Sequence, residues 1–154
     1  MKNILSIAIL VIISSCGFKV VNVSQQNNFS ISDFSSDGDK RINYIIRNKM
    51  LYNSKEDSAN RIFIDLSTTK VKTVKEKNIR NEITKYEILI TANLKFRKED
   101  STKKYNFTKT SKNNYSISTQ YSQTRNNEKK LTKLLSEKLA DEILEEINRK
   151  LNDF

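Results

Sequence analysis

Few residues of this 154-residue chain are equipped for chemistry. It has no histidine, tryptophan or proline, a single cysteine, Cys16, and two glycines, Gly17 and Gly38. General acid–base catalysis and most metal sites draw on histidine or clustered carboxylates, and phosphate-cradling loops need several glycines. The carboxylate pairs present, Asp141/Glu142 and Glu145/Glu146, fall in a lysine-rich stretch of helical pattern. Solvated pairs such as Glu145 with Arg149 and Glu146 with Lys150 account for them there. The expectation is therefore no catalytic residue, no metal ligand, no cofactor and no enzyme. One thiol and a surplus of cations remain. The cations gather twice: at Lys70, Lys72, Lys75, Lys77 and Arg80, and at Lys95, Arg97, Lys98, Lys103 and Lys104.

The thiol's surroundings assign its chemistry. Lys2 precedes an apolar run from Ile4 to Ile13, broken only by Ser6, and Ser14-Ser15 lead into Cys16. A run of about ten apolar residues suits a signal-peptide core, whereas a spanning helix needs roughly twenty. The pattern resembles a bacterial lipoprotein signal, which implies cleavage after residue 15 and a thioether-linked diacylglycerol, usually with a third chain on the amine, at Cys16. Two or more acyl chains anchor a protein stably where one does not. Gly17 stands where an aspartate would commonly retain a lipoprotein in the inner membrane, which favours a periplasm-facing anchor in the outer membrane. Removing residues 1–15 takes away one lysine and no acid, leaving 27 basic against 18 acidic side chains, net +9, over 139 residues. With its only cysteine acylated, the domain must stand on packing, without a disulfide.

The elements that would carry these groups follow from periodicity. Phe18 to Asn28 reads as a tether, and residues 29–154 as one domain of modest core. Phe29 to Phe34 alternates as a short strand, with a turn expected at Ser35-Ser36-Asp37-Gly38. Asp39 is a plausible N-cap for a helix to about Tyr52, in which Ile42, Ile45, Ile46 and Met50 share a face. Arg61 to Val74 is a second strand. The third, Lys85 to Arg97, puts Tyr86, Ile88, Ile90, Ala92, Leu94 and Phe96 on one face, and strict alternation means one buried side. Lys103 to Ser111 repeats the pattern after a hairpin turn at Glu99 to Thr102. Asn113 to Tyr121 is polar and reads as an extended bridge. From about Arg125 to Leu151 the chain is helical, with Leu131, Leu134, Leu135 and Leu139 on one arc and Ala140, Ile143, Leu144, Ile147 and Leu151 on a second. Either the helix follows a twisted sheet and the first helix, or one arc is a partner surface. A sheet with one apolar face needs a cover, and two amphipathic helices supply it: an α+β two-layer sandwich.

The lipobox followed by Cys16-Gly17-Phe18, the alternating strand Tyr86 to Leu94, Asn114-Tyr115-Ser116-Ile117 with Gln120-Tyr121, and the long charged helix to Leu151 resemble the lipopolysaccharide-assembly lipoprotein family, LptE, particularly its alphaproteobacterial members. The similarity covers nearly the whole mature chain. It implies a four-stranded mixed sheet covered on one face by two helices, seated in the lumen of the outer-membrane barrel LptD. There the lipoprotein serves as plug and assembly scaffold and helps insert lipopolysaccharide into the outer leaflet. Lipopolysaccharide carries phosphates and acidic sugars that Lys and Arg can pair with. The cluster expected to face it is Arg97, Lys98, Lys103 and Lys104.

Other classes share some of these features. A nucleic-acid partner is disfavoured by export, and by aromatics that alternate into strand faces instead of interleaving with a basic groove. A structural or adaptor lipoprotein of another outer-membrane machine, such as barrel assembly, or a lipoprotein binding peptidoglycan or another polyanion, would have the same anchor and charge.

Overall fold

The computed structural model describes residues 27–152. The signal peptide, Cys16 and most of the tether lie outside the described residues. The sheet has the order β1-β2-β3-β4, with β1 (Ser30–Gly38) parallel to β2 (Arg61–Lys77) and the pairs β2/β3 (Ile83–Lys98) and β3/β4 (Lys104–Ser116) antiparallel. Helices α1 (Lys40–Asn53) and α2 (Tyr121–Asn152) pack on one face, giving the expected α+β sandwich with a mixed sheet. Among the described residues no helix is long and apolar enough to cross a membrane.

Alternation explains the layering. Ile62, Ile64 and Leu66 of β2 and Ile88, Ile90, Ala92, Leu94 and Phe96 of β3 are buried beneath the helices, while their odd-numbered neighbours form the open face. Each such aliphatic side chain taken out of water contributes roughly 1.5–3 kcal/mol. The helices complete this core with Ile42, Ile46 and Met50 of α1 and with Leu135, Leu139, Ile143 and Ile147 of α2.

Three local expectations are corrected. Ser35 to Gly38 is not a turn: β1 continues through it in register with Asp65 to Thr68. The chain leaves the sheet only at Gly38, whose φ is +99° and whose missing Cβ would lie 2.0 Å from the Thr68 carbonyl oxygen. Asp39 then caps α1, its Oδ1 accepting from the backbone N–H of Arg41 (3.0 Å) and Ile42 (3.1 Å). Asn113 to Ser116 is not a bridge but the end of β4, opposite Lys85 to Ile88, and Tyr115 is buried there. The last helix starts at Tyr121, not near Arg125.

The two arcs of α2 merge into one stripe. Thr132, Leu135, Ser136, Leu139, Ala140, Ile143, Leu144, Ile147 and Leu151 are buried against the sheet and α1, whereas Leu134 is 55% exposed. Spacings of three and four drift slowly around a helix and let it track a twisted sheet. At 1.5 Å per residue α2 is about 48 Å long, close to the roughly 50 Å spanned by β2. Near its end Glu146 pairs with Lys150 as expected, and Arg149 pairs with Glu146 as well.

Candidate polyanion-binding site

The two cationic clusters sit at opposite ends of the sheet. Lys77 is opposite Ile83 where β2 turns into β3, while Lys98 is opposite Ile62 at the other end, roughly 50 Å away along the strands. The fold treats them differently. Around the β2–β3 hairpin, acids answer the cations: Lys70 and Lys72 reach Glu128 (3.6 and 2.8 Å), Lys75 reaches Glu87 (3.2 Å) and Arg80 reaches Glu82 (3.5 Å). Lys77 donates to Asn81 Oδ1 at 2.9 Å.

Glu128 is the hub of that end. Its Oε2 accepts from Lys72 Nζ and from the Tyr115 hydroxyl (3.0 Å), and Lys72 lies over the rings of Tyr86 (4.2 Å) and Tyr115 (5.5 Å). The Lys72 hydrogen bond holds the Glu128 carboxyl below the usual range against the opposing effect of burial. Partial burial alone would push the Lys72 ammonium down, but its bonds to Glu128 and Tyr115 outweigh this and leave it raised. Burial pushes the Tyr115 phenol up. These groups clamp β2, β4 and α2 together and have little charge left to offer a ligand.

At the β3–β4 hairpin the cations face one another. Arg97 and Lys104 are cross-strand partners on the open face, and Lys95, two residues before Arg97, shares that face opposite Asp65 and Asn106. Like charges placed directly across a strand pair cost stability, a cost that an anionic ligand would reverse. The Arg97 guanidinium lies 4.1 Å from the centroid of the Phe63 ring, its cross-strand neighbour on β2, so the fork is held by stacking with its N–H edges available for bidentate contacts. A groove of about 500 Å³ opens here, lined by Phe63, Asp65, Lys95, Phe96, Arg97, Lys104, Tyr105 and Asn106. An adjoining depression over the turn, about 450 Å³, is also lined by Arg97 and Lys104.

The four residues expected at the site are therefore divided. Arg97 and Lys104 come together on the open face. Lys98 falls on the helix-side face by alternation, and Lys103 lies over the Tyr105 ring at 5.0 Å. Lys95 and Phe63 join the site instead. The shared parity of Lys95 and Arg97 is readable in the sequence, but the place of Phe63 depends on the β2–β3 register. Among the described residues no group of three or more His, Cys, Asp or Glu side chains is placed to hold a metal ion. The described chain enters at this same end: Asn27 donates to the Asn53 carbonyl at 2.8 Å and the N–H of Lys55 to the Phe29 carbonyl at 2.9 Å.

With this arrangement defined, solved structures with the same fold can be compared. Rare lipoprotein B from Shewanella oneidensis superposes with a TM-score of 0.65 at 15% identity, over 80% of this chain and 98% of its own. A lipoprotein from Caulobacter crescentus gives 0.56 at 10% identity, over 83% and 93%. Lipoprotein B from Nitrosomonas europaea gives 0.55 at 8% identity, over 84% and 90%. This chain thus has the two-layer fold of several bacterial lipoproteins over nearly their whole length. No family model and no curated protein sequence matches it.

Proposed function

We propose that the protein is an outer-membrane lipoprotein, acylated on Cys16 and facing the periplasm, that acts as plug and assembly scaffold of the LptD barrel and helps insert lipopolysaccharide into the outer leaflet. The observation that carries this reading is a coincidence of two signals: a lipoprotein-type signal at residues 1–17, and a fold matching 98% of a bacterial lipoprotein's chain. The resemblance to LptE at Cys16-Gly17-Phe18 and at Asn114 to Tyr121 narrows it to lipopolysaccharide assembly. The basic groove supplies a chemistry for the task. Arg97, Lys104 and Lys95 offer guanidinium and ammonium donors to sugar phosphates at the end where the tether enters. The role is binding and scaffolding, and asks for no catalytic group.

Depletion tests the reading. Loss of the protein should lower the amount of folded LptD and of surface-exposed lipopolysaccharide, while other barrels persist. Unchanged lipopolysaccharide export, or a general loss of barrels, would move the function to another outer-membrane machine. The anchor has its own test: Cys16→Ala should leave the precursor uncleaved and unacylated, with the domain still folded, and incorporation of labelled acyl chains into that variant would refute it.

A further inference from the structure

A second cationic site lies on the helix side, on the opposite face of the sheet from Arg97 and about seven residues further along β2, roughly 23 Å away. Here α1, β2 and α2 leave a cleft of about 300 Å³, into which three elements each send cations: Arg41 from the first turn of α1, Lys70 from β2, and Arg125 and Lys129 from α2. Two carboxylates share the cleft against four cations. Glu128 is ion-paired with Lys70 and Lys72, and Asp39 is engaged through one oxygen, turning its Oδ1 onto the N–H groups of Arg41 and Ile42 as the α1 cap. The side chains of Arg41, Arg125 and Lys129 form no ion pair among the described residues. Arg125 and Lys129 stand four apart on one helix, which sets like charges on successive turns and weakens a helix unless an anion lies between them. The buried Thr132 hydroxyl already donates to the Glu128 carbonyl at 2.9 Å, so the donors left to an anion in the cleft are the cationic side chains.

We propose that this cleft binds one phosphate-type anionic group, held by the Arg41 and Arg125 guanidinium groups and the Lys129 ammonium. Its volume suits a phosphate with one attached sugar or glycerol unit, and the first turn of α1 adds a favourable dipole at its edge. The site is independent of the barrel reading, since nothing in it depends on LptD. Two sources share the chemistry: the phosphorylated glucosamine of a lipopolysaccharide headgroup and the phosphodiester of a phospholipid headgroup.

The test is titration of the acylated protein, in neutral detergent, with inorganic pyrophosphate followed by calorimetry or phosphorus NMR. Saturable binding at one site is expected. It should weaken by about tenfold or more in the triple variant Arg41→Gln, Arg125→Gln, Lys129→Gln, with charge-assisted bonds lost and the thermal midpoint retained. Both titrations are made in the Arg97→Gln, Lys104→Gln background, which takes the groove at the β3–β4 hairpin out of the signal. Arg125→Gln alone is exposed, perturbs folding least, and should still weaken binding several-fold. Displacement by glucosamine phosphate or by glycerophosphoglycerol then identifies the source, and either result supports the site. Absence of saturable binding, or binding that survives the triple variant, overturns the proposal.

Discussion

At the scale of single residues, the groove at the β3–β4 hairpin is organised by one unfavourable pairing. Arg97 and Lys104 oppose each other on the open face, with Lys95 next in the row. A like-charged cross-strand pair costs about 0.2–1 kcal/mol, so a fold optimised for stability alone would avoid it. Lys104→Ala should therefore leave the denaturation midpoint unchanged or slightly raised while lowering affinity for purified lipopolysaccharide several-fold. Loss of stability with retained affinity would make the pair structural and remove the groove from the account. The strict alternation of β3 is enough to put Lys95 and Arg97 on one side. What alternation cannot provide is a neighbour on another strand. Phe63 meets Arg97 only through the β2–β3 register. The same limit hides how far the Lys70 to Arg80 cluster is compensated, because Glu87 of β3 and Glu128 of α2 reach its lysines only in the fold.

At the scale of elements, the legible parts are those with a clear period, and the misleading parts are short and polar. Ser35-Ser36-Asp37-Gly38 has turn composition, yet parallel pairing with β2 draws it into the sheet, and only Gly38 does a turn's work. Gly38→Ala should destabilise by about 1–3 kcal/mol, because the substituted residue is strained at positive φ and its Cβ meets the Thr68 carbonyl. Urea unfolding measures it, and a neutral result would show that the crossover can relax. Asn113 to Ser116 reads as irregular because Tyr115 is its only buried side chain, reaching Glu128 on the helix side. For α2, periodicity leaves open whether one leucine arc serves a partner. The fold buries Leu139 fully and leaves Leu134 on the surface. Leu139→Ala should cost about 2–5 kcal/mol by cavity formation. Leu134→Ala should cost about 0.5 kcal/mol or less, and a large loss there would mean that Leu134 has a packing partner in the folded protein.

For the molecule as a whole, two carboxylates tie α2 to the sheet and set the response to acid. Hydrogen bonding from Arg149, then from Lys109, brings the Glu146 carboxyl down to about 2 despite partial desolvation, and Lys72 lowers Glu128 in the same direction. A folded-state value below the unfolded one means that the unfolded chain binds more protons, so stability is present above the ordinary carboxylate range and is lost as pH falls toward 2. Unfolding followed from neutral pH downward should show a steady midpoint to the ordinary carboxylate range. Below it a loss on the order of 2 kcal/mol should follow, after allowance for solvent screening, and Glu146→Gln should flatten the decline. A midpoint indifferent to acid would contradict these pairings.

Assembly follows from the same geometry. The described chain begins beside the β3–β4 hairpin, and the eleven Cα–Cα steps from Cys16 to Asn27 span about 40 Å at most. An acylated Cys16 would therefore keep the Arg97 groove within reach of the leaflet, with the β2–β3 hairpin projecting roughly 50 Å away. The central claim, that this domain plugs a lipopolysaccharide-inserting barrel, is tested most directly by co-purification. The protein is tagged at its C-terminus, the outer membrane is solubilised in mild detergent, and the captured proteins are identified and quantified by mass spectrometry. The account predicts an LptD barrel recovered one to one with the lipoprotein. Stoichiometric recovery of a different assembly machine, or of the lipoprotein with no barrel at all, would contradict it.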